Sequence, residues 1–130
     1  LMAAGVNVAF GHDCVLDPWY SLGSADMLEV ASMGLHVAQM TSADGMRACF
    51  DAVTTNAARV LGLEGYGLEP GCRADLVLLQ ARDPVEAIRL RAHRLLVVRG
   101  GKVIARSPEV AVTLDLPGRP AALDFTRAAA

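Results

Sequence analysis

The sequence predicts an α/β protein in which a strand buried on both faces runs into a series of helices, with a β-rich second half behind them. Three observations carry this. Val6-Asn7-Val8-Ala9-Phe10-Gly11 is short, β-branched and aromatic, bounded by glycines and almost uncharged, the pattern of a strand in a parallel sheet. From Ser24 to Leu61 the apolar residues recur at helical rather than alternating spacing. After Gly62 the texture changes to glycines at 65, 67 and 71 and then to compact apolar runs, so a boundary falls near residue 63.

Taken in order, Leu1-Met2-Ala3-Ala4-Gly5 reads as the last turn of a helix closed by a glycine. The chain is therefore expected to begin inside an element, as the C-terminal piece of a larger protein. Beyond the strand, Val15 to Gly23 carries Asp17-Pro18-Trp19-Tyr20, a loop with a proline break. A helix follows from Ser24, its N-cap, to Met40. A second is capped by Thr41 or Ser42, with Asp44 in its first turn and a stripe of Met46, Cys49, Phe50 and Val53. Thr54-Thr55-Asn56 caps a short helix, Ala57 to Leu61. In the second half, Ala74 to Leu79 is a strand and Asp83-Pro84 opens a helical stretch to Arg91. Leu95–Arg99 and Lys102–Ala105 flank Gly100-Gly101, a two-residue hairpin turn. Val110 to Leu116 supplies one more strand, and the tail from Pro117 is expected to fray.

At 130 residues, 53% hydrophobic and 20% charged, the chain can bury a core. Its net charge of −2 lacks the positive concentration that a nucleic-acid polymer demands, and no apolar run is long enough to cross a bilayer. Three widely spaced cysteines, Cys14, Cys49 and Cys72, make neither a disulfide framework nor a zinc knuckle. A reducing cytoplasm is the expected location.

The sharpest chemical signal is Gly11-His12-Asp13 at the end of the buried strand, where the loops of a barrel converge on one mouth. Asp13 is the candidate catalytic and metal-binding carboxylate; its alternative role is to cap the loop or pair with a base. His12 has no second histidine within helical or hairpin reach, so the chain alone builds no metal site. His36 and His93 read as packing or surface residues. Cys14 is either a packed thiol or a substrate contact, and Trp19 either stacks on a flat ring or plugs a core.

Gly5-Val6-Asn7-Val8, Phe10-Gly11-His12-Asp13, Asp17-Pro18-Trp19-Tyr20 and Met33-Gly34-Leu35-His36-Val37 resemble the C-terminal part of bacterial cytosine deaminases, in the amidohydrolase superfamily. The likeness runs to near residue 106. Thr55-Asn56-Ala57-Ala58-Arg59, Gly71 with Ala74-Asp75-Leu76-Val77, and Val98-Arg99-Gly100-Gly101-Lys102-Val103 are similar to tail motifs found across the superfamily.

The resemblance implies that Val6–Gly11 is the eighth strand of a metal-dependent (β/α)8 barrel whose C-terminal part is residues 1–62. It implies that 63–130 is the C-terminal portion of a small β-sandwich. Asp13 would be a ligand of one Fe(II) or Zn(II) ion. The remaining ligands, a His-x-His pair and a later histidine, and a proton-shuttling glutamate would lie outside the chain, which alone should be inactive. The implied reaction is attack of metal-bound hydroxide on the amino-bearing ring carbon, with Asp13 accepting the water proton and ammonia leaving. The implied partners are a small aminated pyrimidine or related heterocycle bordered by Cys14 and Trp19, the N-terminal part of the same protein, and further copies in a homo-oligomer.

One position departs from the pattern: the family's second aspartate, directly after the ligand, is Cys14 here. That removes an acceptor and a charge from the substrate edge and opens the choice to isocytosine, a substituted cytosine or another aminated N-heterocycle. Two further readings stand beside this one: hydrolysis of a cyclic amide within the same superfamily, and a non-catalytic binding module.

Overall fold

The computed structural model describes residues 1–126. The chain forms two compact units, Leu1–Arg73 and a second beginning at Ala74, so residues 63–73 sit with the first although they lie beyond the composition shift.

The first unit is helical. Met2–Ala4 form a single 3-10 turn closed by Gly5 at φ 75, where a left-handed residue ends the turn without a Cβ clash. Helix α1 spans Met27–Val37, α2 Ala43–Ala52 and α3 Thr55–Val60. Asp26 rather than Ser24 caps α1: its carboxylate accepts from Leu28 N at 2.9 Å, while the Ser24 hydroxyl donates to Glu29 at 2.7 Å. Ser42 caps α2 through Gly45 N. Leu28, Ala31 and Leu35 bury one stripe of α1, and Cys49, Ala52 and Ala58 complete the core of α2 and α3. No helix among the described residues is long and apolar enough to cross a membrane.

The strand expected over Val6–Gly11 does not form; the segment has no ladder partner among the described residues. A parallel strand takes its hydrogen bonds from neighbours distant in sequence, and without them the backbone finds other partners. Phe10 N donates to the Ala52 carbonyl at 3.0 Å. Asn56 Nδ2 donates to the Val8 carbonyl and Asn7 Nδ2 to the Asn56 carbonyl, a reciprocal pair that ties the segment to the start of α3.

The second unit holds an antiparallel meander, β1 Leu76–Leu79, β2 Arg94–Arg99 and β3 Lys102–Arg106, in the order β1-β2-β3. Gly100 and Gly101 both take positive φ, as a two-residue turn between right-twisted strands requires, and Asp75 accepts from Gly100 N at 2.6 Å. Helix α4, Pro84–Leu90, joins β1 to β2 and buries Val85, Glu86, Ala87 and Ile88. Asp83 caps it through Glu86 N, and the buried Glu86 carboxylate accepts from Arg82 N and lies 3.8 Å from Arg89. The tail does not simply fray: β4 Val112–Thr113 pairs with β5 Ala122–Leu123. The hairpin turns at Leu116-Pro117-Gly118-Arg119, with Arg119 N bonded to the Leu116 carbonyl and Gly118 at φ 76, the arrangement proline then glycine favour. Residues 127–130 of that expectation lie outside the described residues.

Candidate active site

Three segments of the first unit surround a cleft of about 710 Å³, within the roughly 300–1,000 Å³ common for small-molecule sites. Residues 9–14 form one wall. Trp19, Tyr20 and Gly23 from the following loop form a second, and Glu29, Val30, Met33, Gly34 and Val37 of α1 form the third. Asp13, Cys14 and Trp19, taken from separate arguments in the sequence, all line this cleft.

Asp13 is exposed and stands at φ 65, a left-handed conformation that aspartate tolerates better than most side chains. The imidazole of His12 bonds to the residue on the far side of Asp13 in the chain: Nδ1 lies 2.9 Å from the Cys14 carbonyl, and since a carbonyl only accepts, Nδ1 carries the proton. The ring also lies against Gly23 at φ 96, where an added Cβ would come within 2.7 Å of His12 Cε1.

Asp17 organises the rest of the loop. Its Oδ1 accepts from Trp19 N at 2.8 Å and from Tyr20 N at 3.0 Å. The bond from Trp19 N is the largest of several that hold the carboxyl below its ordinary pKa. The Cys14 thiol is pushed up, first by hydrogen bonding to Asp17, then by desolvation and then by the charge of Asp13. Cys14 is therefore an uncharged thiol at neutral pH, half-buried at the edge of the cleft. Trp19 is 89% exposed and packs no core here; its indole face is open.

The sequence reading includes Met33-Gly34-Leu35-His36-Val37 in the resemblance but gives α1 no part in a site. One local signal for it exists: Gly34 leaves space for the Phe10 ring, whose Cε2 would lie 2.5 Å from a Cβ at that position. Asn56 stands out in the sequence within the tail motif Thr55-Asn56-Ala57-Ala58-Arg59, but nothing there shows that it holds the segment carrying the site. His36 is exposed and bonds the Ser32 carbonyl of its own helix, and His93 is exposed in the other unit. All three cysteines are free thiols.

Among the described residues no three His, Cys, Asp or Glu side chains converge as a metal site. Asp13 brings one exposed carboxylate, a hard oxygen donor that suits a divalent cation as a single ligand.

The sequence profile described as the amidohydrolase family matches residues 1–105. The crystal structure of 5-methylcytosine deaminase from Klebsiella pneumoniae superimposes with a TM-score of 0.80 at 41% identity, over 90% of this chain and 28% of that one. N-isopropylammelide isopropyl amidohydrolase of Pseudomonas sp. (strain ADP) is 34% identical over 107 residues, 82% of this chain and 27% of that protein. Pterin deaminase of Rhizobium rhizogenes is 35% identical over 108 residues, 82% of this chain and 24% of that protein. The chain thus spans about a quarter of the length of these relatives.

Proposed function

The chain belongs to the amidohydrolase family, and from that premise we propose that the protein it helps to form deaminates a cytosine-type pyrimidine hydrolytically, favouring a ring with a small apolar substituent. The observation that carries the reading is the gathering of a carboxylate, a neutral thiol and an open indole face on one cleft. Likeness to 5-methylcytosine deaminase and to pterin deaminase supports release of an amino group from a flat heterocycle.

In this reading residues 1–62 are the last part of a (β/α)8 barrel and 63–130 part of a β-sandwich, completed by chain outside this sequence. Trp19 stacks on the ring. Asp13 takes up the proton that water loses as it adds to the amino-bearing carbon and passes it to the departing nitrogen; a C–O bond forms, the C–N bond breaks and the amino group leaves as ammonia. The divalent metal that the family implies, Fe(II) or Zn(II), supplies Lewis acidity toward water when bound, and Asp13 is the residue of this chain that would hold it.

Cys14 sets the substrate edge. A thiol is a weak donor and acceptor, smaller than a carboxylate and without its charge, so it offers room and an apolar surface in place of a strong hydrogen bond. That supports a substituted cytosine over cytosine itself.

The test is ammonia release by the full-length protein from cytosine, 5-methylcytosine, isocytosine and a pterin, with the Cys14→Asp variant beside it. The expected outcome is highest kcat/KM on 5-methylcytosine and a shift of the ratio toward cytosine in Cys14→Asp by about tenfold or more. An unchanged ratio in a folded variant removes Cys14 from the substrate edge, and no ammonia from any ring sinks the reading. A second reading rests on the N-isopropylammelide hydrolase relative: loss of an alkylamine from a substituted ring. Detecting isopropylamine in place of ammonia would select it.

A further inference from the structure

We propose that His12 is a positioning residue that fixes the backbone of Asp13, through a hydrogen bond from its Nδ1 to the Cys14 carbonyl that closes around Asp13. This rests on the reading of Asp13 as the reacting carboxylate.

The bond, 2.9 Å long, joins residue i to residue i+2 and so encloses a single residue, Asp13. That enclosed residue is at φ 65, a region that L side chains rarely adopt and that persists where surrounding groups over-determine it. Two groups do so here. The Cys14 carbonyl accepts the hydrogen bond from Nδ1, and the neighbouring Cε1–Nε2 edge of the ring lies against Gly23, with Cε1 and Nε2 at 2.7 and 3.1 Å from where a Cβ would stand. With glycine at 23 the ring has its seat; a larger residue there would displace it. His12 is half-buried, whereas Asp13 is exposed. The more shielded side chain thus holds the backbone from which the carboxylate enters the cleft.

The geometry also explains why a histidine at this position need not be a metal ligand. The Nδ1 lone pair is replaced by a proton directed at a carbonyl, and Nε2 lies beside Gly23, 3.1 Å from where a Cβ would stand. Its service is to orientation: groups that support a reacting or metal-binding carboxylate typically matter by about 10- to 100-fold in activity or metal affinity.

The test compares His12→Asn and His12→Gln in the full-length protein. The asparagine amide nitrogen sits where Nδ1 does, one bond beyond Cγ, whereas glutamine carries its amide one atom further out. His12→Gln is expected to lower kcat about 10- to 100-fold with little change in KM. It should also lower bound metal per protein and speed amide exchange over residues 12–14. His12→Asn should recover most of each loss. Equal values in the two variants, or a loss confined to KM, overturn the proposal. A measurement on the unaltered protein stands independently of how either variant folds: nitrogen-15 NMR of the imidazole should find Nδ1 protonated, and a ring carrying its proton on Nε2 alone overturns the assignment. Asp13→Ala measured in parallel separates the two ideas. If Asp13→Ala retains full turnover, the reading of Asp13 fails; if it abolishes turnover while His12→Gln does not reduce it, the positioning role alone fails.

Discussion

Two β-prone segments of this chain, Val6–Gly11 and Leu95–Arg99, read alike in the sequence and end differently. The second becomes the central strand of a meander, paired on both sides. The first forms no strand and is held by Asn7, Asn56 and the Ala52 carbonyl. Hydrophobicity does not separate them; the distance to a partner does. An antiparallel strand is brought to its neighbour by a two-residue turn, whereas a parallel strand depends on neighbours a whole crossover away. The segment that carries the candidate chemistry is the one whose support is remote, and the self-sufficient hairpin carries none.

The strongest way to break this comparison is at Asp13. If the poorly supported segment carries the reaction, Asp13→Ala in the full-length protein should reduce turnover by at least about a hundredfold, the scale of a lost acid or base group. Folding should survive, because Asp13 is exposed and buries nothing. Near-normal kcat/KM in the purified variant would leave Asp13 as a loop residue with no part in the chemistry.

An intermediate effect is expected at the turn that makes the hairpin self-sufficient. Gly101 stands at φ 73, and a β-branched side chain there meets its own backbone. Gly101→Val should cost about 1–2 kcal/mol of stability, the penalty of a left-handed L-residue. Gly101→Asn should cost less, since asparagine visits that region. Denaturant unfolding of the two variants checks this, and equal midpoints would show that strand pairing rather than the turn sets the register.

What was legible in the sequence follows the same division. Ser42, Asp83-Pro84 and Gly100-Gly101 act through residues two or three away, and each cap or turn stands where the local pattern puts it. The strand expected over Val110 to Leu116 contains β4, but its partner β5 gives no pattern, because two residues are too short for alternation to register. Ser24 and Asp26 are both good caps, and what decides between them is that Ser24 is engaged by Glu29. Asp13, Cys14 and Trp19, which line one cleft, stand out in the sequence because the end of an apolar run and a proline-broken loop mark them. Met33 and Val37 read as ordinary helix residues, and only packing turns their face toward the cleft. Glu86 is the opposite case: a glutamate in the first turn of a helix reads as solvated, yet it is 1% exposed because its carboxylate is used by Arg82 N and Arg89.

The smallest expected effect concerns the loop itself, and it sharpens the comparison by asking what holds a site segment that has no ladder. Asp17 gathers Trp19 N and Tyr20 N on one oxygen, and these bonds favour the ionised carboxylate. Its pKa in the folded protein therefore lies below its ordinary value of 3.8. A carboxyl depressed on folding contributes its stabilisation above the unfolded value and loses it as pH falls through the folded one. Protection of the Trp19 and Tyr20 amides, corrected for intrinsic exchange, should then be constant from pH 7 down to about 4 and decline only below that. Hydrogen exchange read by mass spectrometry over residues 15–22 measures it. Asp17→Asn keeps an oxygen acceptor but no charge, so it should show weaker protection at neutral pH and no decline in acid. Loss of protection already between pH 7 and 5 would mean that a group other than Asp17 holds the loop. The open face of Trp19 would then owe its position to something besides this turn.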